Sequence, residues 1–371
     1  MYSSTDSSTT TQRSLLFITA TVLILSLTSC SPTFVIRAAY EESKILLGRK
    51  NINEVVEDPT TETETKRKLK IVQNARSYAE SMGLTPKDSF TAYTKVDKDV
   101  LVWVLAGSKS TSFELYNWWF PVVGNVPYKG FFDKRDAETE AENLKKLGYE
   151  VSVRGAEALS TLGWFNDPIL STTLKNQDDW IVNTVIHETV HSTVWIKNNV
   201  PFNESLANFV GFEGAVQFFT AQFFTVQSSQ SSKKSKEKDW IKISTERRAM
   251  EFELAAAIEK LYADLKELYK SYAPDDVKLT WRQKIFDRHT APIRAKYPEM
   301  KILKEINNSE IMQLKFYMTS LELFNALYIS VKQDWFQFFS VIKEISDQID
   351  NDPKLDPFEL LKDKTAAIEI P

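Results

Sequence analysis

Asp178-Asp179-Trp180-Ile181-Val182-Asn183-Thr184-Val185-Ile186-His187-Glu188-Thr189-Val190-His191 is the stretch on which the reading of this chain turns. Ile181, Val185, Ile186 and Val190 recur at helical spacing, so the segment reads as one helix running toward Trp195. Residues four apart share a helix face, which sets His187 and His191 side by side with Glu188 adjacent. Two imidazoles so placed can hold one metal ion while the carboxylate addresses a water beside it. Pro201 marks a break, and a second helix is expected from Asn203, whose side chain is placed to cap it, past Phe209 and Val216 to Phe224.

A catalytic zinc commonly takes three protein ligands and leaves one position for water. His187 and His191 supply two, and the remaining histidine, His289, lies far along the chain. A carboxylate is the more economical third ligand. Glu204 leads because the proline turn lets its helix face the first, and Glu213 is the alternative. One zinc ion is therefore expected on His187, His191 and Glu204. Asn208, one turn beyond Glu204, is placed to accept a hydrogen bond from the second nitrogen of a ligating histidine. Glu188 is the candidate general base, taking a proton from water and returning it to a leaving amine. Tyr317, Tyr328 and His289 are candidate donors to the developing oxyanion. Glu213 or Asp167 can hold a substrate ammonium.

The N-terminus reads as a separate object. Arg13 precedes an apolar run from Leu15 to Leu27, which ends in Thr28-Ser29-Cys30, the chain's single cysteine. The run is short for a bilayer span and suits a secretory signal. It resembles a bacterial lipoprotein signal, which implies lipidation of Cys30 and an anchored, otherwise soluble body. An uncleaved transmembrane anchor is the alternative. Ser31 is compatible with the periplasmic face of the outer membrane. Without a second cysteine no intramolecular disulfide can form, so packing and metal must hold the body together.

The expected organisation is a signal peptide at 1–29, a membrane-proximal helix and linker at 30–63, a mixed α/β region at 64–175, a helical metal-binding region at 176–350 and a fraying tail at 351–371. Residues 64–350 are expected to form one compact unit. Helix is expected over 64–82 and 134–146, and strand over 100–105 and 149–153; either strand can pair with an extended peptide. Further helices are expected near 245–271, 279–288, 297–306, 310–329 and 333–349. The fold class is α+β, predominantly helical, with a small mixed sheet before the metal-binding helix and a helical C-terminal half. A formal charge of -4 over 371 residues argues against nucleic acid as a partner. The serine and lysine run at 228–239 reads as a solvated loop. No internal repeat suggests a solenoid.

His187-Glu188, His191 and Glu204 together resemble the gluzincin metallopeptidases, and Phe202-Asn203-Glu204-Ser205-Leu206-Ala207 is similar to the segment that carries their third ligand. The interval between His191 and Glu204 is shorter than in well-studied clan members. Several further segments resemble the bacterial putative-aminopeptidase family, whose members are often lipidated. They are Trp119-Phe120-Pro121-Val122-Val123-Gly124, Tyr128-Lys129-Gly130-Phe131-Phe132, Ser160-Thr161-Leu162-Gly163-Trp164-Phe165-Asn166-Asp167-Pro168, Gly211 and Glu213-Gly214. A weaker echo at Asn307-Asn308 extends to Tyr317, which favours Tyr317 as the oxyanion donor. Leu159 stands where an aromatic is usual, and Asn125 where the family often has cysteine. The resemblance implies a zinc aminopeptidase hydrolysing short peptides. A zinc endopeptidase or amidase, and a non-catalytic envelope protein with structural zinc, are the competing readings. Trp164 and Phe165 are candidate walls of a side-chain pocket.

Overall fold

The computed structural model describes residues 40–369 apart from 42, 121–123, 157–165, 226–230, 301–302 and 305. The expected signal, Cys30, Leu159 and the Trp164-Phe165 pair lie outside the described residues. Eight short strands, β1 (Lys50–Asn51), β2 (Ala92–Thr94), β3 (Val102–Lys109), β4 (Trp118–Phe120), β5 (Gly124–Val126), β6 (Tyr128–Phe131), β7 (Tyr149–Ala156) and β8 (Ile169–Leu170), precede the metal-binding helix. Residues 40–41 and 43–47 are helical, and the helices that follow are α1 (Ile52–Glu57), α2 (Thr63–Ser81), α3 (Lys134–Lys146), α4 (Asp178–Thr193), α5 (Val200–Thr225), α6 (Ser231–Lys270), α7 (Asp275–Lys296), α8 (Asn308–Met318), α9 (Leu321–Ser330), α10 (Trp335–Asn351) and α11 (Pro357–Glu369). The predominantly helical α+β class is as expected, down to the mixed sheet, in which β2 runs antiparallel to β1 and parallel to β8. Among the described residues no helix is long and apolar enough to cross a membrane.

Helix α5 is the centre of the helical half. Phe202, Leu206, Phe209, Val210, Phe212, Phe218 and Phe219 are all buried along it, and a helix apolar on every side has to be enclosed. It packs against α4, α6, α8 and α9. Its contact with α4 is close because two glycines face that helix. A Cβ on Gly211 would stand 2.9 Å from Asn183 Nδ2 and 3.2 Å from the Asn183 carbonyl oxygen; one on Gly214 would stand 2.9 Å from Ile186 Cδ1. The absence of side chains there lets the two helices approach until His187, His191 and Glu204 meet.

A second sheet, in the order β6-β3-β7, is antiparallel throughout, with α3 as the crossover between its two outer strands. Strand side chains alternate between faces. Tyr149, Val151 and Val153 join Leu105, Phe131, Ala137 and Leu144 in a small core under α3. Glu150, Ser152 and Arg154 therefore look the other way, and each meets one residue at the start of α8. Glu150 accepts the Asn308 backbone N–H at 3.1 Å, Ser152 and Ser309 hydroxyls are 3.0 Å apart, and Arg154 pairs with Glu310. Asn307 caps α8 by accepting Glu310 N–H at 3.0 Å and donates to the Val151 carbonyl at 3.1 Å. This polar ladder seats α8 on the sheet. The expected strand 100–105 overlaps β3, which is paired on both edges, so among the described residues only β7 of the two peptide-pairing candidates retains an edge.

Several expectations are corrected. The predicted helix 310–329 is two helices, because Ser320 adopts φ 55°. Ser205 Oγ accepts Thr319 N–H at 2.9 Å and Glu259 accepts Ser320 N–H at 2.6 Å, so the break is held by partners on α5 and α6. In the expected helix 297–306, residues 298–299 and 304 are turns and Leu303 is 3-10 helical, so none of its described residues is α-helical. The serine and lysine run is helical from Ser231, as the first part of α6. The tail does not fray at 357–369: Asp356 accepts the Phe358 N–H at 2.8 Å at the head of α11, Leu361 is fully buried, and Phe358 packs on Phe202 and Phe324.

Candidate metal centre

Helix α4 begins with two acids, Asp178 and Asp179, where the positive end of the helix dipole favours them. Arg67 pairs with Asp178 and Arg247 with Asp179, anchoring that end. Along the helix, the four-residue spacing sets His187 and His191 on one face, with their Nε2 atoms 3.2 Å apart. The chain turns back at Asn198, φ 62°. Asn203 does not cap α5. It lies within its first turn, and its amide bridges the Ile196 backbone, accepting its N–H at 2.9 Å and donating to its carbonyl at 2.8 Å. That clasp fixes the return loop and the adjacent Glu204.

Glu204 Oε2 stands 3.4 Å from His187 Nε2 and 3.5 Å from His191 Nε2. These three edges match a metal polyhedron: tetrahedral zinc with bonds of about 2.0–2.1 Å separates its ligand atoms by about 3.3–3.4 Å. The three residues form a cluster able to hold a divalent cation. Burial would raise the pKa of Glu204, but the bonds to His187 and His191 hold it down at about 2. Burial likewise opposes a charged His187, yet the Glu204 bond and the charges of Glu188, Glu204 and Glu251 outweigh it and raise its pKa. A proton there competes with a metal for the same lone pair.

Glu188 Oε2 and His191 Nδ1 are buried and, among the described residues, have no hydrogen-bond partner. A buried carboxylate oxygen without a donor is costly unless a ligand or water completes it. Glu188 is close enough to act electrostatically on both His187 and Tyr317. Trp195 packs edge-on against the His191 ring, centroids 5.4 Å apart.

Tyr317 lies across from the cluster, its ring nearly parallel to that of His187 at 6.4 Å. It remains 43% exposed, as befits a residue lining a cleft. Its enclosed hydroxyl has a raised pKa, first through burial and then through Glu204, Tyr128 and Glu188, so it stays protonated and able to donate. Tyr128 on β6 is raised by burial and then by Glu204. Cross-strand register pairs Tyr128 with Ala106 and Ala106 with Ser152, so Tyr128 shares the sheet face of Ser152 and Arg154. Burial lowers the Arg154 pKa to about 10, with Tyr317 working against the shift. The cleft is thus walled by α4 and α5 on one side and by α8 and the polar sheet face on the other.

The other candidates have partners of their own. Glu213 is paired with Arg248 and accepts Gln217 at 3.1 Å. His289 is paired with Asp264 at 2.8 Å. Tyr328 is buried against Trp335, ring centroids 4.2 Å apart, and bonded to Gln217 at 2.6 Å. The Asp167 backbone is joined to Phe90 and Ser89. Among the described residues Asn208 has no hydrogen bond to a histidine nitrogen; its Nδ2 donates at 2.9 Å to both Glu251 and the Tyr317 carbonyl. Tyr128, Arg154 and Glu251 were not anticipated. The alternation of Glu150, Ser152 and Arg154 with valines signalled a polar sheet face, but nothing local signalled what that face would meet.

Residues 33–354 match the family model described as "Putative aminopeptidase", which covers most of the chain. The protein belongs to this family. With its His-His-Glu cluster it is an enzyme of the metallopeptidase class, of the aminopeptidase type. Comparison with curated proteins and with solved structures returns no match.

Proposed function

We propose that the protein is a zinc-dependent aminopeptidase that hydrolyses short peptides, with His187, His191 and Glu204 as the zinc ligands. The observation that carries this reading is the triangle of donor atoms at 3.2, 3.4 and 3.5 Å beside a buried, unpartnered Glu188 oxygen. Zinc bound there supplies Lewis acidity, polarising the scissile carbonyl and acidifying water.

The chain's own residues perform the remaining work. Glu188 accepts the proton of the attacking water and delivers it to the leaving amine. Its unpartnered oxygen leaves that position open to the water. Tyr317, protonated and beside His187, donates a hydrogen bond to the oxyanion as the carbonyl carbon becomes tetrahedral. Tyr128 and Arg154 wall the cleft on the opposite side.

The test is metal analysis of the purified protein combined with cleavage of a peptide library in free and acetylated form. One zinc per chain, with cleavage only of peptides bearing a free N-terminus, supports the reading. Equal cleavage of acetylated peptides points to an endopeptidase, and a folded protein that takes up no metal defeats the proposal.

The body is proposed to be tethered through a lipidated Cys30 at the periplasmic face of the bacterial outer membrane. The motif Leu27-Thr28-Ser29-Cys30 supports this. Cys30→Ser is expected to move the protein from the membrane to the soluble fraction, and a variant that stays in the membrane would contradict the tether.

A further inference from the structure

Helix α5 carries Glu204, Ser205 and Asn208 within one turn, and each has a different partner. Glu204 faces the two histidines. Ser205 Oγ accepts the Thr319 N–H at 2.9 Å and reaches the Phe316 carbonyl at 3.4 Å. Asn208 Nδ2 donates one hydrogen to the Tyr317 carbonyl and the other to Glu251, both at 2.9 Å. Phe316, Tyr317 and Thr319 are the last turn of α8 and the residue that follows it. The carbonyls of a last helical turn have no partner within the helix and take whatever donors the surroundings offer. Here the donors come from the same helix that presents Glu204.

Asn208 is buried, and its amide is locked from its far side by Glu251, itself buried on α6. Ser320, in the left-handed conformation immediately after this turn, is held by Glu259 at 2.6 Å. The end of α8 is thus fixed at three points, and two of them lie on α5. From its other end α8 is tied to the sheet by Asn307, Asn308 and Ser309.

We infer that Asn208 is a positioning residue for the reaction: it holds the Tyr317 carbonyl so that the phenol stands beside His187, and one helix thereby sets both the third metal ligand and the oxyanion donor. This inference rests on the proposed role of Tyr317. It assigns Asn208 no contact with metal or substrate. Glu251 orients Asn208 by accepting its second N–H.

The experiment is a double-mutant cycle in the full-length zinc-loaded protein, reading kcat, KM, bound zinc and melting temperature for Asn208→Ala, Tyr317→Phe and the pair. A displaced catalytic group costs on the order of 10- to 100-fold in rate. Asn208→Ala is therefore expected to lower kcat about 10- to 100-fold with zinc content and KM preserved. In the Tyr317→Phe background the same change is expected to cost almost nothing further. Ser205→Ala, which loosens the same turn at its other tether, is expected to show the same pattern more weakly, and it carries the test if Asn208→Ala does not fold. An unchanged kcat, a loss of zinc, or losses that multiply in the pair would overturn the inference. A wild-type protein that holds zinc and cleaves no peptide removes the peptidase reading and this inference together. Wild-type cleavage with losses that multiply removes the inference alone.

Discussion

The metal cleft has two walls made in different ways. On the α4–α5 side, the three residues of the His-His-Glu cluster and Glu188 lie within eighteen residues of one another, and each position follows from helix periodicity and a short return loop. On the α8 and sheet side, Tyr317, Tyr128 and Arg154 come from three elements scattered along the chain. Their convergence depends on a polar ladder and on the tethering of α8 by α5. The first wall is a local pattern that packing preserves. The second exists only once the fold is complete.

If the first wall is the metal site, removing one ligand should remove the chemistry. Glu204→Ala is expected to abolish stoichiometric zinc binding and reduce peptidase activity to background, with metal analysis and rate measured on one preparation. Retained zinc would shift the third ligand to another carboxylate. On the second wall, Tyr317→Phe leaves the metal site intact and removes a single donor, for which the expected loss in kcat is about 100- to 1,000-fold. An unchanged kcat with bound zinc would move the donor role to Tyr128.

The close approach of the helices offers a smaller test. Gly211→Ala gains about 1 kcal/mol of helix propensity but places a methyl group against Asn183, an overpacking that costs about 1–3 kcal/mol. Denaturant titration is expected to show a net loss of about 1 kcal/mol, accompanied by weaker zinc binding because α4 and α5 part. Smallest of all, Ser152→Ala removes one hydroxyl contact from the ladder and is expected to cost about 0.5–1.5 kcal/mol. A larger change in kcat than in stability there would show that the ladder tunes Tyr317 rather than merely supporting it.

What could be read in advance follows the same division. Helices α2, α3 and α4 are announced by periodicity and by their stops, and they fall where expected to within a few residues. Glu204 was legible from the proline turn that faces its helix to the histidine pair, together with the resemblance of Phe202–Ala207 to the segment carrying the third ligand, while Glu213 stayed the alternative. The break at Ser320 was not, since no glycine or proline marks it and its left-handed backbone is held by Glu259 and Ser205 from other helices. Asn203 and Asn208 both read as ordinary local devices, a cap and a histidine partner. Each instead bonds to backbone outside its own helix, Asn203 across the return loop at Ile196 and Asn208 to the distant Tyr317. The terminal helix α11 did carry a signal, Asp356-Pro357 ahead of Leu360 and Leu361, which the charged composition of the tail obscured.

Glu188 gives the most direct test, because it lies on the legible wall yet ligates nothing. Glu188→Gln keeps the shape of the side chain and removes its capacity to accept a proton. General base catalysis of this kind contributes about 100- to 10,000-fold. The measurement is kcat for unblocked peptides with zinc content determined on the same sample: a loss of that size at one zinc per chain is the predicted result, and wild-type cleavage by the zinc-loaded variant would contradict the assignment.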